Sequence, residues 1–566
     1  MANLLIKGGM VVDGTGTEAR LADVRVSDGR IAEIGPNLSP AGEPVIDAAG
    51  LVVAPGFIDS HTHFDATIYW DPMLDPMPQH GVTTVVGGNC SLSLAPVRPA
   101  DRRAQVEVFS YLEDLPGDLL NEVIPWDWER FPDYARSAAK VPLGINLMTY
   151  AGHSQIRCYV MGEEAWERTA TPGEIAQMVD LLDEALAAGA LGLSYSLFDK
   201  DRQGRPVPSS LADDAELDAL IAKLGEYGGT FQFVPGDNAD AIIRQLQWLG
   251  TFFGKHGVTG LYNILVHMET QPDRAERIID CLQELRDRGV TIHGMVSPRY
   301  IEMSIGFEQS ICFIDLPAWN EFVQSPLDAK QAMIDDPDWR ARGREEADTR
   351  RSTMFPFKRA DTLKIASAGN PDCGEWIGKS LEELHWARGG HISDVLADWV
   401  KENHFDTSFA LPIANTDADE VAAMMKSPVS ILSASDAGAH LQMFCAAGDS
   451  TLVLTKFVRE RGDLGLEEAV HELTGRQAEI FRIPDRGVLA PGMVADITIF
   501  SLDELDYGGE KPVADMPGGI TRLTRDPGGY RYTIVSGEVV QQDGKATGAL
   551  PASWLARAAR APALSA

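Results

Sequence analysis

The chain has 566 residues, 44% of them hydrophobic and 23% charged, enough to bury a sizeable core and too apolar for global disorder. With 49 basic residues against 83 acidic ones the formal charge is −34, which argues against a nucleic-acid or anionic-membrane partner, since these require basic patches. Cys90, Cys158, Cys281, Cys312, Cys373 and Cys445 are scattered without a CxxC pair, the N-terminus lacks a signal-peptide pattern and no apolar run approaches ~20 residues, so a soluble protein of the reducing cytoplasm is expected.

The first elements read as small β structure. The apolar runs Leu4–Ile6 and Met10–Val12 are followed by Asp23–Val26 and Ile31–Ile34, which alternate in polarity, all punctuated by Gly and Asp turns, a hairpin signature. Ala495–Phe500, Tyr532–Gly537 and Glu538–Val540 repeat the style at the other end, which predicts one small β-sandwich domain built from both chain ends, residues 1–57 and 484–552. Between them the pattern changes to short apolar runs alternating with amphipathic helices. The predicted strands are Val52–Ile58, Thr83–Val86, Gly144–Met148, Leu191–Tyr195, Thr230–Val234, Tyr262–Val266, Val290–His293 and Val429–Ser433. Eight such strands suit an α/β fold, a (β/α)8 TIM barrel over 58–483. Helices are predicted over Pro172–Ala188 and Asp214–Glu226, the latter with Leu217, Leu220, Ile221 and Leu224 on one face. An insertion is expected near 315–380; its charge run, Asp335–Lys358, reads as a solvated helix, with a lid over the barrel mouth as the alternative. Residues 553–566 read as a tail, frayed from Ala558 onward.

His61 and His63 follow the buried run Val52–Ser60. Histidines spaced i, i+2 at a strand end project to the same side and can hold one metal ion, and barrel active sites lie at the C-terminal ends of strands. Cys90 and Asp436 stand at two further strand ends, the first open to a packing role and the second to an ordinary loop role.

The run Pro55-Gly-Phe-Ile-Asp-Ser-His-Thr-His63 resembles the first-strand signature of the amidohydrolase superfamily. The run from His80 to Cys90, Gly152–Arg157, Gly189–Ser194, Ser435–Gly438 and Asp485–Asp496 are similar to its N-acyl-D-amino-acid deacylase (D-aminoacylase) branch, and the likeness spans nearly the whole chain. The resemblance implies that His61 and His63 ligate metal, and that Cys90 replaces the bridging carboxylated lysine of other members. It also implies that Asp436 touches the metal and takes the proton from the attacking water. Zn2+, as one or two ions, suits these donors, and manganese, cobalt or iron are also compatible with them.

The resemblance also implies histidines after strands five and six. Strand five, Gly229–Gly236, contains none; His267 fits the sixth-strand ligand and His293 falls in strand seven, although a shifted register would make these two strands five and six. Leu316–Trp319 resembles the segment after strand seven in relatives, which favours the first register. His440 could reach the site from the loop after Asp436. Basic residues near the sixth-strand histidine hold the substrate α-carboxylate in D-aminoacylases, but Met268 and Glu269 stand here. Arg157 and Arg299 are the candidate replacements, and His153 a candidate mouth residue.

The expected activity is hydrolysis of a non-peptide C–N bond, in an N-acyl (D-)amino acid or related amide, with Asp436 as general base and then acid. A cyclic-amide or carbamate hydrolase on the same centre is the alternative, and a non-catalytic scaffold on the same fold is another. The expected partner is a small-molecule amide, and a homo-oligomer is compatible with the sequence.

Overall fold

The computed structural model describes residues 3–558 except 114, 237, 308–309, 353 and 433. Eight parallel strands form the barrel: Phe57–Asp59, Val82–Gly87, Asn146–Thr149 continued by Ala151–Gly152, Gly192–Ser196, Thr230–Val234, Thr259–Leu265, Ile292–Val296 and Ser430–Leu432. The ring closes between the ends of the eighth and first strands, where Asp436 N–H donates to His61 O (2.9 Å) and His63 N–H to Ala437 O (2.8 Å). The chain is therefore a TIM barrel in the predicted strand order. Ser433, at the predicted end of strand eight, lies outside the described residues.

The run expected as one strand over Val52–Ile58 is two. Val52–Pro55 belongs to the small terminal sheet and Phe57–Asp59 to the barrel, with Gly56 at the join. A Cβ on Gly56 would lie 2.1 Å from Thr83 Cγ2, so only glycine lets the two layers meet there.

The helices follow their local signals. Thr171 and Glu174 close a capping box at the start of Pro172–Ala187, and the Asp213 side chain caps Asp214–Tyr227. Leu217, Leu220, Ile221 and Leu224 are all fully buried, as their spacing requires. The β-sandwich domain combines strands from 4–55 with Ile497–Phe500, Tyr530–Val535, Glu538–Gln542 and Lys545–Ala546. Its strand Val52–Pro55 lies between Leu4–Val11 and Ile497–Phe500, joining the two chain ends around a core that includes Leu4, Ile6, Val24, Ile497 and Ile534.

Between strands seven and eight the chain builds an antiparallel sheet of Ile301–Gly306, Thr407–Ala414 and Lys364–Ala368, so the insertion is wider than 315–380. The charge run forms helix Pro337–Thr349, which buries Trp339, Gly343, Glu346 and Ala347 while Arg340, Arg342 and Arg344 pair with Asp398, Glu321 and Asp394.

The tail reading is corrected over 553–558. Trp554 is buried and its Nε1 donates to Thr149 Oγ1 (3.0 Å), Leu555 N–H donates to Leu147 O (2.7 Å), and Arg557 N–H to Gly189 O (3.0 Å). These donors, one indole and two backbone amides, commit the segment to the barrel wall; residues 559–566 lie outside the described residues. Among the described residues no helix is long and apolar enough to cross a membrane.

Candidate metal centre

The first strand delivers His61 and His63 into the barrel mouth, both essentially fully buried. The loop after strand two brings Cys90 to them. Sγ lies 3.4 Å from His61 Nε2 and 3.9 Å from His63 Nε2, and the three donor atoms all fall within 4.8 Å of one another. Asp436, at the end of strand eight, places Oδ1 3.5 Å from His61 Nε2 and 3.2 Å from His63 Nε2. The turn carrying Asp436 runs tightly over the first strand: Gly438 has φ +90°, and a Cβ there would sit 2.9 Å from the His63 carbonyl carbon. Asp436 retains 26% side-chain exposure, so it can meet a water or a substrate.

The donor set fits a divalent metal such as zinc: two imidazole nitrogens, one thiol and one carboxylate converge from three strand ends. Burial, reinforced by Glu113, Asp199 and Asp436, pushes the Cys90 thiol well above its ordinary pKa, so a thiolate there needs a cation. Burial opposes charge on His61 and brings it down to about 3. His63 feels the same burial, but Glu113 and Asp436 overcome it and hold it at about 9. Asp436 is held far below the carboxylate range, since His63 and His61 outweigh its burial. Burial raises Glu113 to about 8 and Asp65 and Asp199 to about 6. Such a concentration of carboxyl groups favours a cation in their midst.

Several members of this site escaped sequence reasoning. Glu113 Oε1 lies 3.1 Å from His63 Nδ1, the position of a carboxylate that orients a ligating imidazole. It ends helix Arg102–Glu113, and the only local signal is a carboxylate beside the buried residues Tyr111 and Leu112. Gln232 of strand five accepts from Cys90 N–H (2.9 Å), and Asn263 Nδ2 of strand six lies 3.4 Å from His61 Nε2. His440, which the sequence already places within reach from the loop after Asp436, has its Nε2 3.9 Å from Asp436 Oδ2.

Other expectations are corrected. His267 is not among the three donors, His61, His63 and Cys90, that lie within 4.8 Å of one another. It lies beyond the end of strand six with its backbone N–H and C=O both bonded to Asn415, and Asn263 is the residue of that strand that reaches the centre. His293 sits near the start of strand seven, beside Arg286 and Arg476, at the end of the barrel away from the strand C-termini. His153 and Arg157 do not line the mouth: both are fully buried and paired with Glu216, His153 Nε2 at 2.7 Å from Oε1 and Arg157 Nη1 on Oε2. Arg299 donates to the carbonyls of Ser435 and Ala446 and stacks on Phe444.

A TIM barrel with this group of donors at the C-terminal ends of its strands is suited to metal-assisted hydrolysis. The amidohydrolase family model matches residues 44–541, and the chain belongs to that family: it is a hydrolase of carbon–nitrogen bonds other than peptide bonds. It is 31% identical over 580 residues to an uncharacterised protein of Mycobacterium tuberculosis, covering 96% of this chain and 92% of that one. It is 29% identical over 511 residues to N-acyl-D-aspartate deacylase of Alcaligenes xylosoxydans xylosoxydans, covering 88% and 86%. A solved structure of D-aminoacylase, described as having a binuclear metal centre with one-metal activation and second-metal attenuation, is 26% identical; the match covers 98% of this chain and 100% of that one, with a TM-score of 0.69.

Proposed function

We propose that this chain deacylates an N-acyl amino acid, the D-enantiomer foremost, with zinc held by His61, His63, Cys90 and Asp436. The observation that carries the reading is the convergence of those four donors, with Asp436 reaching solvent. The relatives that hydrolyse N-acyl-D-amino acids support the substrate class.

Bound there, zinc supplies Lewis acidity that polarises an acyl carbonyl and acidifies water. The protein's part is proton traffic and orientation. Asp436, ionised and with Oδ2 turned toward His440, accepts the proton as the water oxygen bonds to the acyl carbon. It returns that proton to the nitrogen as the C–N bond breaks, so that a carboxylic acid and an amine leave. Glu113, with Oε1 3.1 Å from His63 Nδ1, stands on the side of the ring from which a carboxylate would keep Nε2 directed at the centre.

A second reading, an amide or cyclic amide lacking an α-carboxylate, is favoured by one observation. Arg157 and Arg299, the candidate carboxylate anchors, both spend their guanidinium groups on the protein's own carboxylate and carbonyl oxygens.

Asp436→Asn tests the mechanism: turnover falls about 10²–10⁴-fold even when the variant is saturated with zinc, so that the weaker ligand is not mistaken for the missing base. Retained turnover would sink the assignment. A panel of N-acyl D- and L-amino acids against neutral amides and cyclic imides separates the two substrate readings.

A further inference from the structure

Strands four and five are paired so that Ser194 stands directly beside Gln232, and both side chains are fully buried. Each catches one N–H of the loop carrying the metal-site cysteine. Cys90 N–H donates to Gln232 Oε1 (2.9 Å), and Ser91 N–H to Ser194 Oγ (3.1 Å). These two loop residues are consecutive and both left-handed, with φ of +56° and +64°, a conformation that non-glycine residues hold only when neighbours enforce it. Further bonds brace the turn: Ser91 Oγ donates to Ser154 Oγ (2.9 Å) and accepts from Ser154 N–H (2.8 Å). The outcome of this bracing is the direction of the Cys90 side chain, which points Sγ at both histidines.

The strand-five and strand-six positions at the centre are therefore carboxamides. Gln232 gives its oxygen to Cys90 N–H, and its remaining atom, Nε2, is buried without a hydrogen-bond partner and has no lone pair to offer a metal. Asn263 Oδ1 is likewise buried without a partner, 3.4 Å being the distance from its Nδ2 to His61 Nε2. A second ion beside the first would need two strong donors from these strands, and neutral amides are poor substitutes for imidazoles.

Resting on the metal reading above, we infer that the centre holds one ion, and that Gln232 is a positioning residue that keeps the Cys90 thiolate on it. Gln232 does not touch substrate; it acts through the backbone of Cys90.

The test uses the full chain loaded with zinc or cobalt(II). Wild type binds one zinc per chain after exhaustive dialysis, and the cobalt form shows a thiolate-to-cobalt charge-transfer band that Cys90→Ser abolishes. Gln232→Met, which conserves volume but removes the acceptor, weakens zinc affinity about 10–100-fold and diminishes that band. Ser194→Ala, a milder release of the same turn, moves both in the same direction and serves if Gln232→Met does not fold. A full-strength band and wild-type affinity in both variants overturn the positioning role, because a merely structural residue would lower stability and leave the band intact. Two zinc ions per wild-type chain overturn the one-ion centre. A wild type without bound metal or without the band overturns the underlying metal reading instead, so the two failures are distinguishable.

Discussion

Glu216→Ala removes the carboxylate on which two buried side chains depend. Glu216, His153 and Arg157 are all fully buried, and Glu216 engages both partners, one through each oxygen. Burial raises the cost of the Glu216 charge, yet its bonds to His153 and Arg157 keep the carboxyl below its ordinary pKa. Deleting it leaves a guanidinium uncompensated in the interior, a change that costs about 3–5 kcal/mol. Unfolding entropy over a chain of 566 residues is about 1.2 kcal/mol per kelvin if the chain melts together, so the midpoint falls by about 3 °C. Calorimetry of Glu216→Ala, Arg157→Met and the apolar double variant Arg157→Met/Glu216→Leu measures the pair. The double variant should recover part of the loss, since no charge is then left unpaired. KM is expected to move little in a folded Arg157→Met enzyme. A tenfold rise in KM with an unmoved melting midpoint would refute the structural account and return Arg157 to the substrate.

His80 is buried with Nδ1 2.7 Å from Thr451 Oγ1, and burial, aided by Arg525, lowers it to about 3. Its neutral form is favoured by folding, so the stability it confers is full above about 6.5 and is lost as pH falls from there toward 3. Unfolding free energy measured against pH should therefore flatten in His80→Gln by about 1.4 kcal/mol per pH unit in that window, and an unchanged slope would count against it. Deleting residues 553–566 removes buried Trp554 and its bond to Thr149. It should cost about 3–5 kcal/mol in unfolding free energy, and an unaltered melting curve would mean that the segment does not brace the barrel.

Much of the architecture is legible from local signals. The alternation at Asp23–Val26, the cap Thr171 with Glu174, and the apolar face Leu217–Leu224 each report a single element, because backbone period and side-chain direction are set within a few residues. The same holds for His61 and His63, whose i, i+2 spacing at a strand end places both rings on one side. The strand register is legible too: strand five lacks a histidine, and the structure keeps that order.

Long-range approach set the features that local signals miss. His153 and Arg157 look like mouth residues from their place after strand three, but Glu216, some sixty positions on, claims both. His267 carries the right side chain, yet the sixth-strand residue that reaches His61 is Asn263, a short neutral amide that no ligand pattern selects. Glu113 and Gln232 become visible only when the barrel wraps a helix and a neighbouring strand around the same donor group. By itself, then, the sequence determined the barrel, the sandwich from both ends and the paired histidines, since each follows from spacing along one strand or helix. Only the tertiary structure decided that Glu113, Gln232 and Asn263 join Asp436 and Cys90 around His61 and His63, because closing eight strands into a ring brings together side chains far apart in the chain. That closure gives Asp436 to the histidines and the strand-five glutamine to the backbone of Cys90.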